Sequence, residues 1–220
     1  MLDDARFDHI ERALDTYPIV GVTTNPTIIK AAGLTSFYDD LQLISKTIGS
    51  DRSLHVQVVA QDTAGMLREA ERILAVIGQE TYIKVPVTVA GLAAIGQLKR
   101  DGINVTATAI YTSMQGLLAI AAGVDFLAPY VNRMANQDVD PFRVIAQLRT
   151  AIDRDASSAQ IVAASFKNVR QVTDAVDAGA HAVTVTSDVL SSALAMTEVQ
   201  HAVEVFAHDW ETTFGTPSLP

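Results

Sequence analysis

Seven short runs rich in β-branched and small apolar residues recur along the chain, each followed by a longer segment with helical spacing of its apolar positions. A period of two and a period of 3.6 cannot occupy the same segment. Their regular alternation is therefore the signature of βαβ units, which place a parallel sheet under a cover of helices. The runs are Ile19–Thr24, Leu54–Ala60, Tyr82–Val87, Ile103–Ala109, Asp125–Pro129, Gln160–Ala164 and Ala182–Thr186, separated by stretches such as Asp62–Ile77, Ala90–Arg100 and Val169–Ala178. At 220 residues with no break in composition, the expected architecture is a single-domain (β/α)8 TIM barrel over residues 1–220. Such a barrel requires an eighth strand. Met1–Leu2 ahead of Asp3 is the one candidate and is shorter than a usual strand, so either the first strand is truncated or residues precede Met1. An open, seven-stranded doubly wound sheet is the alternative.

Composition narrows the function. Hydrophobic residues make up 49% and charged residues 19% of the chain, which excludes disorder. No apolar stretch approaches the roughly 18 residues that span a bilayer, and the acidic start (Asp3, Asp4, Asp8) is unlike a secretory leader, so the expected location is the cytoplasm. The absence of cysteine removes disulfides, thiolate catalysis and Cys-ligated metals. His9, His55, His181, His201 and His208 never fall at metal-ligand spacing, so no metal and no organic cofactor is expected. A net charge of −9 and a pI near 4.9 would repel a polyanion, which argues against nucleic acid. A phosphorylated small substrate would need a local cationic pocket.

The polar residues of the runs gather at their C-terminal ends, the side on which parallel α/β folds place their active sites. Thr23, Thr24 and Asn25 close one run, Lys84 sits late in another, Thr108 ends the next, Tyr130 and Arg133 follow Ala128–Pro129, and Ser165 follows Ile161–Ala164. Lys84 stands out. A lysine in a strand buried on both faces is costly unless it is paired or used, and burial favours the neutral amine that carbonyl addition requires. The structural alternatives are a lysine that reaches the rim or pairs with an acid such as Asp3. Imine chemistry also needs proton donors, hydroxyl-binding groups and a phosphate grip. Asp3, Gln57, Thr108, Tyr130, Asn25, Arg133 and Ser165 offer these from separate strand ends, although singly each has an ordinary explanation, such as a turn residue for Asn25 or a helix cap for Ser165.

Four segments together resemble the small transaldolase and fructose-6-phosphate aldolase family: Gly21-Val22-Thr23-Thr24-Asn25-Pro26-Thr27, Tyr82-Ile83-Lys84-Val85-Pro86-Val87-Thr88 with Gly91-Leu92, Ala128-Pro129-Tyr130-Val131-Asn132-Arg133, and Ala163-Ala164-Ser165-Phe166-Lys167. The resemblance runs from about Leu2 to beyond Asp188. It implies that Lys84 forms a Schiff base with a sugar-phosphate ketone and that Asp3 handles protons and hydroxyls near the imine. It implies also that Thr23 and Asn25 contact the dihydroxyacetone unit, that Thr108 holds a catalytic water beside Gln57, and that Arg133, Ser165 and Lys167 bind phosphate. Arg170, one helical turn from Lys167, is expected to add charge to that site.

In the resemblance, transaldolases carry glutamate at the position of Gln57 and phenylalanine at that of Tyr130, whereas the aldolases carry glutamine and tyrosine. The implied reaction is reversible cleavage of fructose 6-phosphate to dihydroxyacetone and glyceraldehyde 3-phosphate. Dihydroxyacetone transfer between sedoheptulose 7-phosphate and an aldose phosphate is the rival, and a non-catalytic sugar-phosphate-binding barrel a more distant one. Glu198–Phe214 reads as an additional amphipathic C-terminal helix, packed on its own barrel or on a neighbouring subunit. The resemblance favours the second, in a homodecamer of two pentameric rings.

Overall fold

The computed structural model describes residues 1–219. Eight parallel strands follow in sequence order: β1 (Leu2–Asp3), β2 (Gly21–Thr23), β3 (Ser53–Gln57), β4 (Tyr82–Pro86), β5 (Val105–Ile110), β6 (Phe126–Pro129), β7 (Gln160–Ala163) and β8 (Ala182–Val183). The helices are α1 (Phe7–Thr16), α2 (Pro26–Ala32), α3 (Phe37–Ile48), α4 (Thr63–Ile77), α5 (Val89–Arg100), α6 (Ser113–Ala121), α7 (Val131–Ala135), α8 (Pro141–Arg154), α9 (Val169–Asp177), α10 (Ser187–Leu194) and α11 (Thr197–Phe214). This is an α/β, TIM-like barrel with an extra C-terminal helix. The eighth strand falls one residue on from the Met1–Leu2 candidate, at Leu2–Asp3, and is two residues long. Asp3 N donates to Val185 O and Val185 N to Met1 O, so the first strand meets the last segment through a parallel bridge between Leu2 and Val185. An open seven-stranded sheet does not describe this topology.

All seven runs contain strands, and five of these strands end one to three residues before the run does. The ends of the runs turn out of the sheet to build the rim. Thr24 and Asn25, for example, leave β2, and Asn25 Oδ1 accepts from Ile28 N at 3.0 Å to cap α2. Asp62, Thr88 and Thr112 cap α4, α5 and α6 in the same way, satisfying N–H groups that a helix start leaves open. Gly91 permits the close seat of α5, since a Cβ there would lie 1.9 Å from Pro86 O. Only glycine fits, and the exit of β4 is thereby fixed.

Alternation sorts the strand side chains. Ile83, Val85, Val105, Ala107, Leu127 and Ile161 point outward into the helical layer and are fully buried there. Inward from the same strands point Lys84, Thr106 and Thr108. Register pairs Lys84 with Gln57 on one side and with Thr106 on the other. The β5–β6 ladder slips once: Ala107 to Ile110 spans three residues where Leu127 to Pro129 spans two. Ala109, with φ 56°, is the extra residue of this bulge.

The inner barrel carries a polar centre. His55 is fully buried; its Nδ1 lies 2.8 Å from Thr106 Oγ1 and its Nε2 3.0 Å from Ser53 Oγ. Its ring stacks on Tyr82 at 4.6 Å and meets Phe126 edge-on at 5.3 Å. Both nitrogens are satisfied by hydroxyls, so the neutral ring fits. Desolvation, with the nearby Lys84 charge second, pushes its pKa down to about 3.

This has a measurable consequence. The unfolded chain binds a proton at His55 below its ordinary value of 6.5 while the folded chain does not, so stability is lost as pH falls between about 6.5 and about 3. Urea unfolding at pH 7 and pH 5 is expected to show about 2 kcal/mol more loss in the wild type than in His55→Phe. Equal losses in the two proteins would remove His55 as the origin.

Candidate active site

A cavity of about 360 Å³ opens at the C-terminal mouth of the strands, bordered by Asp3, Asn25, Lys84, Tyr130, Arg133, Ser165 and Lys167. These residues come from the exits of β1, β2, β4, β6 and β7. Seven of the sequence-derived site residues therefore share one space.

Lys84 is 3% exposed. It neither reaches solvent nor forms an ion pair; its Nζ donates to the carbonyl of Thr24 at 2.8 Å. Burial lowers its pKa, and the Asp3 carboxylate, the opposing influence, does not come within ion-pair distance. Asp3 is pushed up by its own desolvation, against the pull of Lys84 and a hydrogen bond from Thr23. Amine and acid thus both lean toward their neutral forms, as low polarity favours.

Around them the polar groups are hydroxyls. Thr23 Oγ1 donates to Asp3 Oδ1 at 2.6 Å and lies 2.7 Å from Thr184 Oγ1. Thr108 Oγ1 lies 2.9 Å from the Tyr130 hydroxyl, and both residues are buried. Burial pushes the Tyr130 phenol up, with the Thr108 hydrogen bond and Arg133 opposing. The adjacent Asp4 faces the other way, where Arg6, Ala5 N and Arg6 N bond it. Alternation along β1 alone decides which aspartate enters the barrel.

Gln57 stands opposite Lys84 in the ladder, and its Oε1 is buried with no partner among the described residues. It does not border the Lys84 cavity. Instead it lines a neighbouring, more apolar cavity of about 500 Å³ between the β3 exit and the start of α3. Asn25 borders both cavities.

On the opposite side, the Arg133 guanidinium lies 4.9 Å from the centre of the Tyr130 ring and donates to the Tyr111 hydroxyl at 3.4 Å. Ser165 adopts φ 65°, a left-handed conformation costly for a residue with a Cβ. It does not cap α9, which Asn168 does; its carbonyl accepts from Asn132 N at 2.8 Å. Lys167 borders the cavity from an exposed position. Arg170 requires correction. It is 83% exposed and paired with Asp174 at 2.7 Å, and it does not border the cavity; Lys167 precedes the Asn168 cap and lies outside α9, so helical spacing does not relate the two positions.

Thr184 and Tyr111 were not anticipated. The alternating Val183-Thr184-Val185-Thr186 pattern carried the signal for Thr184, since the alternate positions of a barrel strand face inward. Nothing in the sequence marked Tyr111.

A TIM-like barrel whose mouth gathers a desolvated amine, a buried phenol and a cationic side has the chemical equipment of an enzyme active site. The chain belongs to the transaldolase/fructose-6-phosphate aldolase family, whose model matches residues 1–216. It is 52% identical over 210 residues to a Streptococcus pneumoniae protein named "Probable fructose-6-phosphate aldolase", a match covering 96% of this chain and 95% of that one.

Proposed function

We propose that the protein is a Schiff-base aldolase that reversibly cleaves fructose 6-phosphate to dihydroxyacetone and glyceraldehyde 3-phosphate. The observation that carries this reading is the buried Lys84 amine sharing its cavity with the Thr108-bonded Tyr130 phenol. The neutral amine adds to the C2 carbonyl, and loss of water gives an iminium. This cation is the electron sink: the C4 hydroxyl loses its proton, C3–C4 breaks, and glyceraldehyde 3-phosphate departs. Tyr130 then protonates C3 of the enamine, with a water held by Thr108 and Gln57 completing the relay. Hydrolysis releases dihydroxyacetone and regenerates the amine.

In this reading Asp3, oriented by Thr23, binds a substrate hydroxyl beside the imine and moves protons during carbinolamine formation. Thr23 and Asn25 hold the dihydroxyacetone unit, and Arg133, Ser165 and Lys167 hold the phosphate. The presence of Gln57 and Tyr130 favours release over transfer, because a phenol can deliver the proton that ends the enamine's life whereas a phenylalanine cannot.

The reading extends to the whole chain as one closed (β/α)8 domain working in the cytoplasm without a cofactor. It extends also to assembly. None of the α11 residues is buried, and Val199, Val203, Phe206 and Phe214 are exposed. A second copy covers this apolar face, in a decamer of two pentameric rings. Light scattering on the full chain tests this; a monomer mass of 23.5 kDa would refute it.

Two experiments examine the chemistry. Borohydride with dihydroxyacetone is expected to leave one reduced three-carbon unit on Lys84 and none on Lys84→Met. Because burial lowers the Lys84 pKa, the neutral amine persists to lower pH than in an ordinary lysine, and the trapping rate is expected to start falling toward acid at a correspondingly lower pH. A rate that declines from pH 10 downward would mean an ordinary, solvated lysine. In Tyr130→Phe, transfer to erythrose 4-phosphate is expected to gain on free dihydroxyacetone release; an unchanged partition would remove Tyr130 as the proton donor.

A further inference from the structure

We propose that the Tyr111 hydroxyl positions Arg133 for the phosphate of the aldehyde substrate, so that Tyr111 determines the preference for phosphorylated over unphosphorylated aldehydes. This rests on the aldolase reading and on Arg133 as the phosphate grip.

Arg133 sits on the five-residue α7 with an exposed head, and among the described residues no carboxylate lies within ion-pair distance of it. A long side chain so placed loses rotamer entropy whenever it binds an anion, and a holder that restricts it beforehand lowers that cost. Two phenols form the holder. The Tyr130 ring lies under the guanidinium at 4.9 Å, and the Tyr111 hydroxyl accepts from Nη1 at 3.4 Å. The two rings meet edge to face at 5.7 Å, so each fixes the other.

Tyr111 is itself firmly seated. Its backbone N–H donates to Gln115 Oε1 at 2.9 Å. The amide nitrogen of the same Gln115 donates to Val87 O at 3.3 Å and Ala109 O at 3.4 Å. One glutamine thus joins the exit of β4, the bulge of β5 and the start of α6, and Tyr111 projects from that junction. The bulge matters for direction. Were the strand to run regularly through Ala109, alternation would send Tyr111 to the outer face; because the bulge absorbs that residue, Tyr111 shares the inner face with Tyr130.

Tyr111 does not border the Lys84 cavity, and its hydroxyl touches only the guanidinium among side chains. Tyr111→Phe keeps the ring contact with Tyr130 and removes that one bond. The effect is therefore expected in KM for the phosphorylated partner, not in the chemistry at the amine.

The test measures aldol addition at saturating dihydroxyacetone, varying glyceraldehyde 3-phosphate or unphosphorylated glyceraldehyde, in wild type and Tyr111→Phe. Borohydride trapping of dihydroxyacetone on Lys84 is measured alongside in both. The expected result is a rise of about tenfold in KM for glyceraldehyde 3-phosphate, the size of one hydrogen bond to a charged group. The KM for glyceraldehyde should move less than about twofold, with trapping preserved. An unchanged preference, or an equal loss with both aldehydes, overturns the role of Tyr111. A wild type that traps no dihydroxyacetone instead removes the aldolase reading, one that shows no preference for the phosphorylated aldehyde removes Arg133 as the phosphate grip, and either takes this inference with it.

Discussion

The burial of one amine organises the mouth of this barrel. An ammonium ion taken from water into an apolar strand wall carries a penalty that a single carbonyl, that of Thr24, does not offset. The proton is the cheapest thing to give up. Placing a full carboxylate against Lys84 would reverse this outcome, and the structure keeps its nearest acid, Asp3, beyond ion-pair range and tied to Thr23. The threonines and the phenol nearby supply polarity without net charge. Hydroxyls can donate or accept as a reaction requires, whereas a second ion would fix the protonation of the first.

The same economy of charge runs deeper into the barrel. His55, Thr106 and Ser53 form a satisfied neutral cluster on the inner face, walled by Tyr82 and Phe126. A protonated imidazole there would raise the local potential and depress the amine further. The barrel instead holds the ring neutral through desolvation and two hydroxyl partners. At the mouth, the cations Arg133 and Lys167 stand on the exposed side, where solvent screens them. In the proposed reaction, amine chemistry and anion recognition thus occupy separate dielectric environments within one cavity.

Much of this was legible in the sequence because strand alternation and strand ends are written residue by residue. Lys84, Thr108, Tyr130 and Ser165 fall on the rim by counting alone. What escaped was of three kinds. Backbone acceptors such as Thr24 O have no sequence identity, so the fate of the Lys84 proton could not be read. Arg170 was placed by its distance along the chain from Lys167, while Asp174 four residues on already offered the helical ion pair that holds it in solvent. Gln57 was placed at a strand end, where it lies, yet the cavity it borders depends on how α2 and α3 pack above β3, a matter of tertiary contact.

The bulge at Ala109 has a consequence for how such a chain can change over time. Loops in barrels of this kind usually tolerate gain and loss of residues, since the strands they connect are indifferent to their length. Here one supernumerary residue inside a strand sets the parity of everything from Ile110 to the start of α6. Paired regularly into the ladder instead of bulged, it would turn Tyr111 outward and Ile110 inward, exchanging a phenol for an aliphatic chain at the mouth, whereas its deletion would leave Ile110 opposite Pro129 and Tyr111 inside. Most substitutions vary such a wall gradually. Drawing the bulged residue into the ladder would alter it by inversion.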